Sequence, residues 1–295
     1  MYFRFTMILT FFFYLGCGDP GVNIDQSTYQ PKIVVNGLLY TGQRINDIKI
    51  SRNYPLNTTI ISEEKYLTNA FVTISDVSGI TDTLKYSTEE NFHATNQKVH
   101  IIGGETYTLY VVAEIDGQSL WTSSTTIAPY PGFSIIDSLS TAGSIAYLRY
   151  YINGILENPR ITFNRTIGAE FYGLSAVAMN AADSTFIEDN IFGVKSDNLE
   201  DNINYLKYIS YWSSPDDRSV GTSKIEFPWY LIYFYSPYRM ILYAGDKNFY
   251  HFFISHRNVM NIDGNLREPL FYFKGDGIGL FGSAIRDTIY FNVIR

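Results

Sequence analysis

The sequence predicts a mostly β protein with two β-sandwich-like domains, the N-terminal one Ig-like, and one short helix near the C-terminus. Three observations carry that expectation. Apolar and polar residues alternate with a period of two through many short runs, the mark of strands buried on one face. Aromatic residues make up 17% of the chain, with 25 Tyr and 21 Phe, and such side chains favour pleated, half-buried surfaces. Turn-forming groups, above all Asp116-Gly117 and Pro129-Tyr130-Pro131-Gly132, punctuate the runs.

The chain has 295 residues, 46% hydrophobic and 17% charged, which is enough apolar material for a large core and too little charge for disorder. A formal net charge of −7 argues against nucleic-acid binding, whose affinity rests on Lys and Arg neutralising phosphates. It argues equally against charge-driven attachment to an anionic membrane. Membrane attachment would have to come from lipid or from an apolar segment.

Residues 1–16 read as a signal peptide. Arg4 supplies the positive start, and Phe5–Tyr14 is an apolar stretch too short to span a bilayer. Gly16 then precedes Cys17, the chain's single cysteine, an arrangement that resembles the bacterial lipobox. In such signals the thiol is diacylated and the preceding peptide bond is cut. The pattern departs from the usual one in that Tyr14 stands where Leu is customary, with Leu15 one place nearer. Two acyl chains on Cys17 would anchor the protein stably to a membrane. Residues 17–30 are polar, contain Pro20 and Gly21, and read as the lipidated tether. Asp19 resembles the acidic signal that sends some Bacteroidota lipoproteins to the cell surface.

Residues 31–128 are expected to form the Ig-like sandwich. Lys32–Leu39 is a β-branched run, Asn46–Asn53 sets Ile48 and Ile50 on one face, and Ala70, Val72 and Ile74 alternate with Phe71, Thr73 and Ser75. Tyr107–Ile115 and Gln118–Ile127 flank Asp116-Gly117 and predict a hairpin closed by a type I′ turn. Residues 129–132 break both helix and sheet and are taken as a linker. Residues 133–295 make the second, mainly β domain, with strands expected at Ile145–Ile152, Arg160–Asn164, Phe171–Met179, Ile225–Tyr235, Arg239–Tyr243 and Asp287–Ile294. Asp183–Asp217 reads as long acidic loops. One helix is expected after Asp246, whose carboxylate can cap it, with Phe249, Phe252 and Phe253 at helical spacing against a core edge.

Few residues suggest chemistry. Gly277, Gly279 and Gly282 spell a dinucleotide-loop pattern, yet only 13 residues follow Gly282, too few for the helix, strand and acidic residue such a site requires. These glycines are expected to allow positive φ or close backbone approach in a loop before the last strand. His251 and His256 are five apart, the wrong spacing for two zinc ligands on one helix face. Asp197, Glu200 and Asp201 offer oxygen ligands for calcium, but without the alternating spacing and central glycine of an EF-hand loop, so a solvated loop is the default. No G-x-S-x-G nucleophile elbow occurs, so no catalytic residue is expected, and neither a metal nor a cofactor. Phe227–Ala244 is long enough for a membrane span but carries Pro228, Pro237 and Arg239, and reads better as two tandem strands.

These features together resemble a Bacteroidota outer-membrane lipoprotein family, the domain of unknown function 4249. The likeness runs through the leader and Cys17, Lys32–Leu39, Leu67–Ile74, Gly103–Leu109, the proline-containing boundary, the aromatic helix and Gly277–Gly282. The chain departs at Lys274-Gly275-Asp276, where members tend to be more apolar and glycine-rich. The resemblance implies a non-catalytic lipoprotein of the outer membrane that partners a TonB-dependent transporter, and Asp19 adds the cell surface as the side it is expected to face. It names no small ligand. A surface hydrolase of glycans or peptides, marked by converging carboxylates in a cleft, and an adhesion or assembly module with exposed sheet surface are the alternatives.

Overall fold

In the computed structural model, residues 29–55, 58–60, 65–149, 151–152, 154–190, 199–213, 221–259 and 269–295 are described, those at 151–152, 199–201, 211–213 and 257–259 by their backbone only. Pro31–Asn53 and Ile60–Arg295 form one contact-dense unit. A second, small unit holds Tyr29, Gln30, Tyr54, Pro55, Thr58 and Thr59, and within it the Thr58 amide donates to the Pro55 carbonyl at 3.3 Å.

The first half of the chain supplies β1 (Ile33–Tyr40), β2 (Lys49–Arg52), β3 (Phe71–Ser75), β4 (Thr81–Ser87), β5 (Asn91–Ala94), β6 (Thr106–Ile115) and β7 (Gln118–Ile127). The second half supplies β8 (Ser134–Ile135), β9 (Gly143–Ala146), β10 (Tyr151–Ile152), β11 (Ile155–Leu156), β12 (Arg160–Asn164), β13 (Phe171–Ala178), helix α1 (Leu199–Leu206), β14 (Tyr208–Ser213), β15 (Thr222–Glu226), β16 (Pro237–Gly245), helix α2 (Lys247–Val259), β17 (Lys274–Gly275) and β18 (Gly277–Ile294). The fold is mostly β, as expected, with several sheets and, among the described residues, two α-helices, one of them near the C-terminus.

The β6–β7 hairpin forms in full register from Thr106↔Ile127 to Ile115↔Gln118. Asp116 and Gly117 take φ of 52° and 74°, the paired positive angles that match the strand twist. Tyr107, at the start of β6, is fully buried, and its hydroxyl donates to the His100 carbonyl at 2.7 Å while accepting from the Ile102 amide at 2.6 Å. A buried tyrosine returning its hydroxyl to upstream backbone is a corner device of Ig-like sandwiches.

Two sheets enclose the first core. One has the order β17-β7-β6-β3-β4-β5; the other is the larger sheet β14-β13-β16-β18-β1-β2, with β9 also on β18. Between them lie Ile33, Val35, Leu39, Ile48, Val72, Ile74, Leu109, Val111 and, from the far end of the chain, Phe281. The second core begins at Phe133 and packs the larger sheet against the short sheet β15-β12-β8. The change from one core to the other falls at 129–132, but the segment is clamped and not a free joint. Thr41 Oγ1 donates to the Pro129 carbonyl at 2.8 Å, the Tyr130 amide to Ile167 at 3.0 Å, and Thr166 Oγ1 to the Tyr130 carbonyl at 2.5 Å. The sequence-based division into 31–128 and 133–295 thus marks two cores within one unit.

The structure corrects several expected elements. Ile145–Ile152 is interrupted at Tyr147 and Leu148, where Leu148 takes a φ of 55°. Ile225–Tyr235 is a strand only to Glu226. Pro228 lacks the amide needed to continue a ladder, and Trp229–Leu231 turns as a 3-10 helix that drives Phe227, Trp229, Ile232 and Phe234 into the second core. The acidic region, expected as long loops with short pieces of structure, contains the eight-residue α1, which the single expected helix did not include.

The glycine segment is not a loop before the last strand. It is the first third of that strand, which begins at Gly277. There β18 pairs in parallel with β1, from Ile33↔Gly277 to Tyr40↔Ala284. A Cβ at Gly277 would collide with the Thr122 hydroxyl, and one at Gly279, whose φ is 106°, would collide with the Val35 carbonyl oxygen. Gly279→Ala should therefore combine overpacking with a left-handed backbone and cost about 2–5 kcal/mol in urea unfolding. Gly42→Ala is the control: its φ is 76° but nothing lies within 4 Å, so about 1 kcal/mol is expected.

Candidate functional site

Asp246 sits where β16 ends and α2 begins, and it caps the helix as expected: the Phe249 amide donates to Oδ1 at 3.0 Å. The same carboxylate reaches across the fold. The Ser283 amide donates to Oδ1 at 3.1 Å and the Thr126 hydroxyl to Oδ2 at 2.6 Å. Ser283 Oγ in turn donates to the Ile127 carbonyl at 2.7 Å, and Asn248 Nδ2 bridges the Thr125 and Phe281 carbonyls at 2.6 and 2.9 Å. A Cβ on Gly282 would come within 3.0 Å of Oδ1, so the glycine lets β18 reach this acceptor. Asp246 thus joins α2, the hairpin and β18, and it holds the helix against the outer face of the larger sheet.

On that face the cross-strand rows are set by register. Phe171, Gly245, Ala284 and Tyr40 lie in one row across β13, β16, β18 and β1; Gly173, Tyr243 and Arg286 lie in the next. Small residues in the middle and rings at the ends leave a hollow of about 200 Å³. Leu38, Tyr40, Phe171, Tyr243, Phe249 and Phe253 wall it, and Ser175 and Ser210 add hydroxyls. Helix α2 brings Phe249 to the Phe171 ring edge-on at 4.9 Å, with Phe253 stacked at 6.3 Å. Beside the Tyr40 wall the Arg286 guanidinium lies 4.1 Å from the centre of the Tyr40 ring, and its Nη2 donates to Gln43 Oε1 at 3.1 Å. Burial, reinforced by the neighbouring Tyr243 and opposed by Arg286, pushes the Tyr40 hydroxyl up to about 12. Tyr40 is therefore a neutral hydrogen-bonding group at any physiological pH, not a base.

A larger hollow of about 570 Å³ lies between β7 and residues 271–274, lined by Ser123, Ser124, Thr125, Asn248, Tyr272 and Lys274. Two hydroxyls on this strand already donate to backbone, Ser124 to Tyr272 at 2.5 Å and Thr122 to Lys274 at 2.9 Å. The smaller hollow has the better character for a ligand, being mostly apolar with a few convergent polar groups.

The sequence-predicted residues are scattered. Cys17 and Asp197 lie outside the described residues, while Glu200 and Asp201 belong to α1 and not to a loop. Among the described residues no group of three or more His, Cys, Asp or Glu could hold a metal ion. His251 contacts the Tyr272 hydroxyl, whereas His256 stacks on Phe252 at 5.6 Å. Gly277 and Gly279 serve strand contacts, and Gly282 alone approaches the Asp246 network. Sequence reasoning missed Tyr40, Gly173, Tyr243 and Arg286, because their convergence depends on the register of four strands distant in sequence. Phe249 and Phe253 were read only as core-edge packing; they also wall the hollow.

A mostly β body with two cores, one strand common to both, and a ring-walled hollow under a single helix defines the class. Across residues 21–284 the chain matches the domain of unknown function DUF4249, and it belongs to that family. No curated protein matches it.

Burial drives the Asp246 carboxyl above its ordinary value of 3.8, against the opposing pull of its donors. The folded state then binds more protons than the unfolded state between the two values. Stability is full below about pH 3.8 and falls as pH rises through the raised folded value. Asp246→Asn should flatten that dependence in urea titrations from acidic to neutral pH. Asp246→Ala, which strands buried donors and removes the cap, should cost about 2–4 kcal/mol.

Proposed function

We propose that this chain is a non-catalytic lipoprotein of the outer membrane, anchored through lipid on Cys17, that accompanies a TonB-dependent transporter and offers it a small-ligand site. The observation that carries the reading is family membership over residues 21–284 joined to a lone cysteine at the end of an apolar leader. Among the described residues no helix is long and apolar enough to cross a membrane, so attachment by lipid is the route the reading relies on. The clamped two-core body supports a role in presenting a preformed site. Among the described residues no carboxylate lines either of these two hollows, and a third, beside Thr68 and Asn69, has the single carboxylate of Glu114 where the hydrolase reading wants a converging pair.

One observation does favour the adhesion module. Phe71, Tyr110 and Trp121 are 52%, 39% and 45% exposed on the outward face of β3, β6 and β7. That reading expects self-association that Trp121→Ser abolishes, measured by sedimentation in the absence of any transporter.

For the leading reading, affinity purification of the tagged protein from solubilised outer membranes should recover a TonB-dependent transporter. Recovery of no outer-membrane protein would overturn the partnership. Cys17→Ala should release the protein from the membrane fraction, and mass spectrometry of the native N-terminus should find a diacylated cysteine; an unmodified thiol would remove the anchor.

A further inference from the structure

We infer that the hollow beneath α2 binds a small aromatic carboxylate, its ring against the partly exposed rings of Tyr40, Tyr243 and Phe249 and its carboxylate reaching Arg286 beside Tyr40. This deepens the proposed ligand-presenting role and rests on reading the hollow as a ligand site, but it does not depend on the transporter.

Size comes first. An apolar cavity of about 150 Å³ is enough to take benzene, so about 200 Å³ suits one ring with a short substituent and not a sugar chain or a long acyl tail. The floor is low because Gly173 presents no side chain between Phe171 and Ser175 on β13. The walls favour a flat ring. Phe171 is buried with Phe249 edge-on and Tyr250 and Phe253 stacked on it, so an inserted ring would meet the partly exposed Tyr40, Tyr243 and Phe249 edge-on or offset-stacked.

Charge decides the substituent. Arg286 pairs directly across the strands with Tyr243, which lines the hollow, and stacks on Tyr40, which also lines it. The guanidinium is therefore held beside the Tyr40 wall of the hollow, within reach of a substituent on a bound ring but not among the lining residues. Its described partners are the Gln43 amide oxygen and Tyr40, through both ring and hydroxyl, and among the described residues it makes no ion pair with a carboxylate. A guanidinium has five N–H donors in a fork that matches a carboxylate, so donors remain for a ligand. A cationic ligand would be repelled here, and a neutral one would leave the charge unused.

The test is calorimetric titration of the full-length protein with phenylacetate and with its neutral isostere phenylacetamide. Phenylacetate should bind about tenfold or more tightly than the amide, and Arg286→Gln should bring it down to the amide's level. Gly173→Val should abolish binding of both by filling the floor. Leu38→Trp, which fills the hollow from another strand, serves if the first variant does not fold, and melting curves establish that each variant is folded. Equal binding of acid and amide, untouched by Arg286→Gln, would overturn the assignment to an anion while leaving a ligand site. Binding of neither by the folded protein would overturn the site itself, whatever the transporter pull-down shows.

Discussion

Strand β18 runs for 18 residues, and one face of it supplies Phe281 to the first core and Ile289, Phe291 and Val293 to the second. At about 3.3 Å per residue it extends some ~60 Å, far longer than an ordinary strand. It pairs with β1 in its first part and with β16 in its later part, so the first and last strands of the unit are hydrogen-bonded neighbours. Every other feature is arranged around this shared element. For β1, β7 and α2 all to approach its first third, side chains there must be absent, and Gly277, Gly279 and Gly282 meet that requirement.

The same crowding accounts for a buried carboxylate in a protein with few charges. Where α2 meets the hairpin and β18, backbone amides at Phe249 and Ser283 and the Thr126 hydroxyl all point inward. Desolvated donors without an acceptor are costly, and Asp246 supplies two oxygens to satisfy them. The cost appears as the raised proton affinity of the carboxyl. In return the helix is fixed in position, and with it Phe249 and Phe253 above the sheet. The hollow is thus a consequence of how the two cores are joined: a sheet whose inner face fills with core has an outer face that, among the described residues, α2 partly covers.

The outer face also shows how a site can arise without chemical motifs. Its rows contain glycine, alanine, serine, tyrosine and arginine, none diagnostic alone. Brought into register, they give a ring-sized space with aromatic walls and a guanidinium beside one of them.

Much of this was legible in the sequence where the signal is local. Alternation over Tyr107–Ile115 and the Asp-Gly pair specify the hairpin because strand faces and turn angles are set by neighbours in the chain. Asp246 could be read as a cap for the same reason, and the break at 129–132 from its prolines and glycine. Periodicity misled where tertiary demands prevail: Phe227–Phe234 is apolar enough for a strand but serves as irregular filling, and the glycines of β18 weaken strand propensity while being required by contacts with β1, β7 and Asp246. Only the fold could decide that Tyr40 and Arg286, separated by nearly the whole chain, would stack, or that Gly173 would lie beside Tyr243. Local preferences encode which residues become strands; the pairing of distant strands is a long-range property, and the hollow exists only in that pairing.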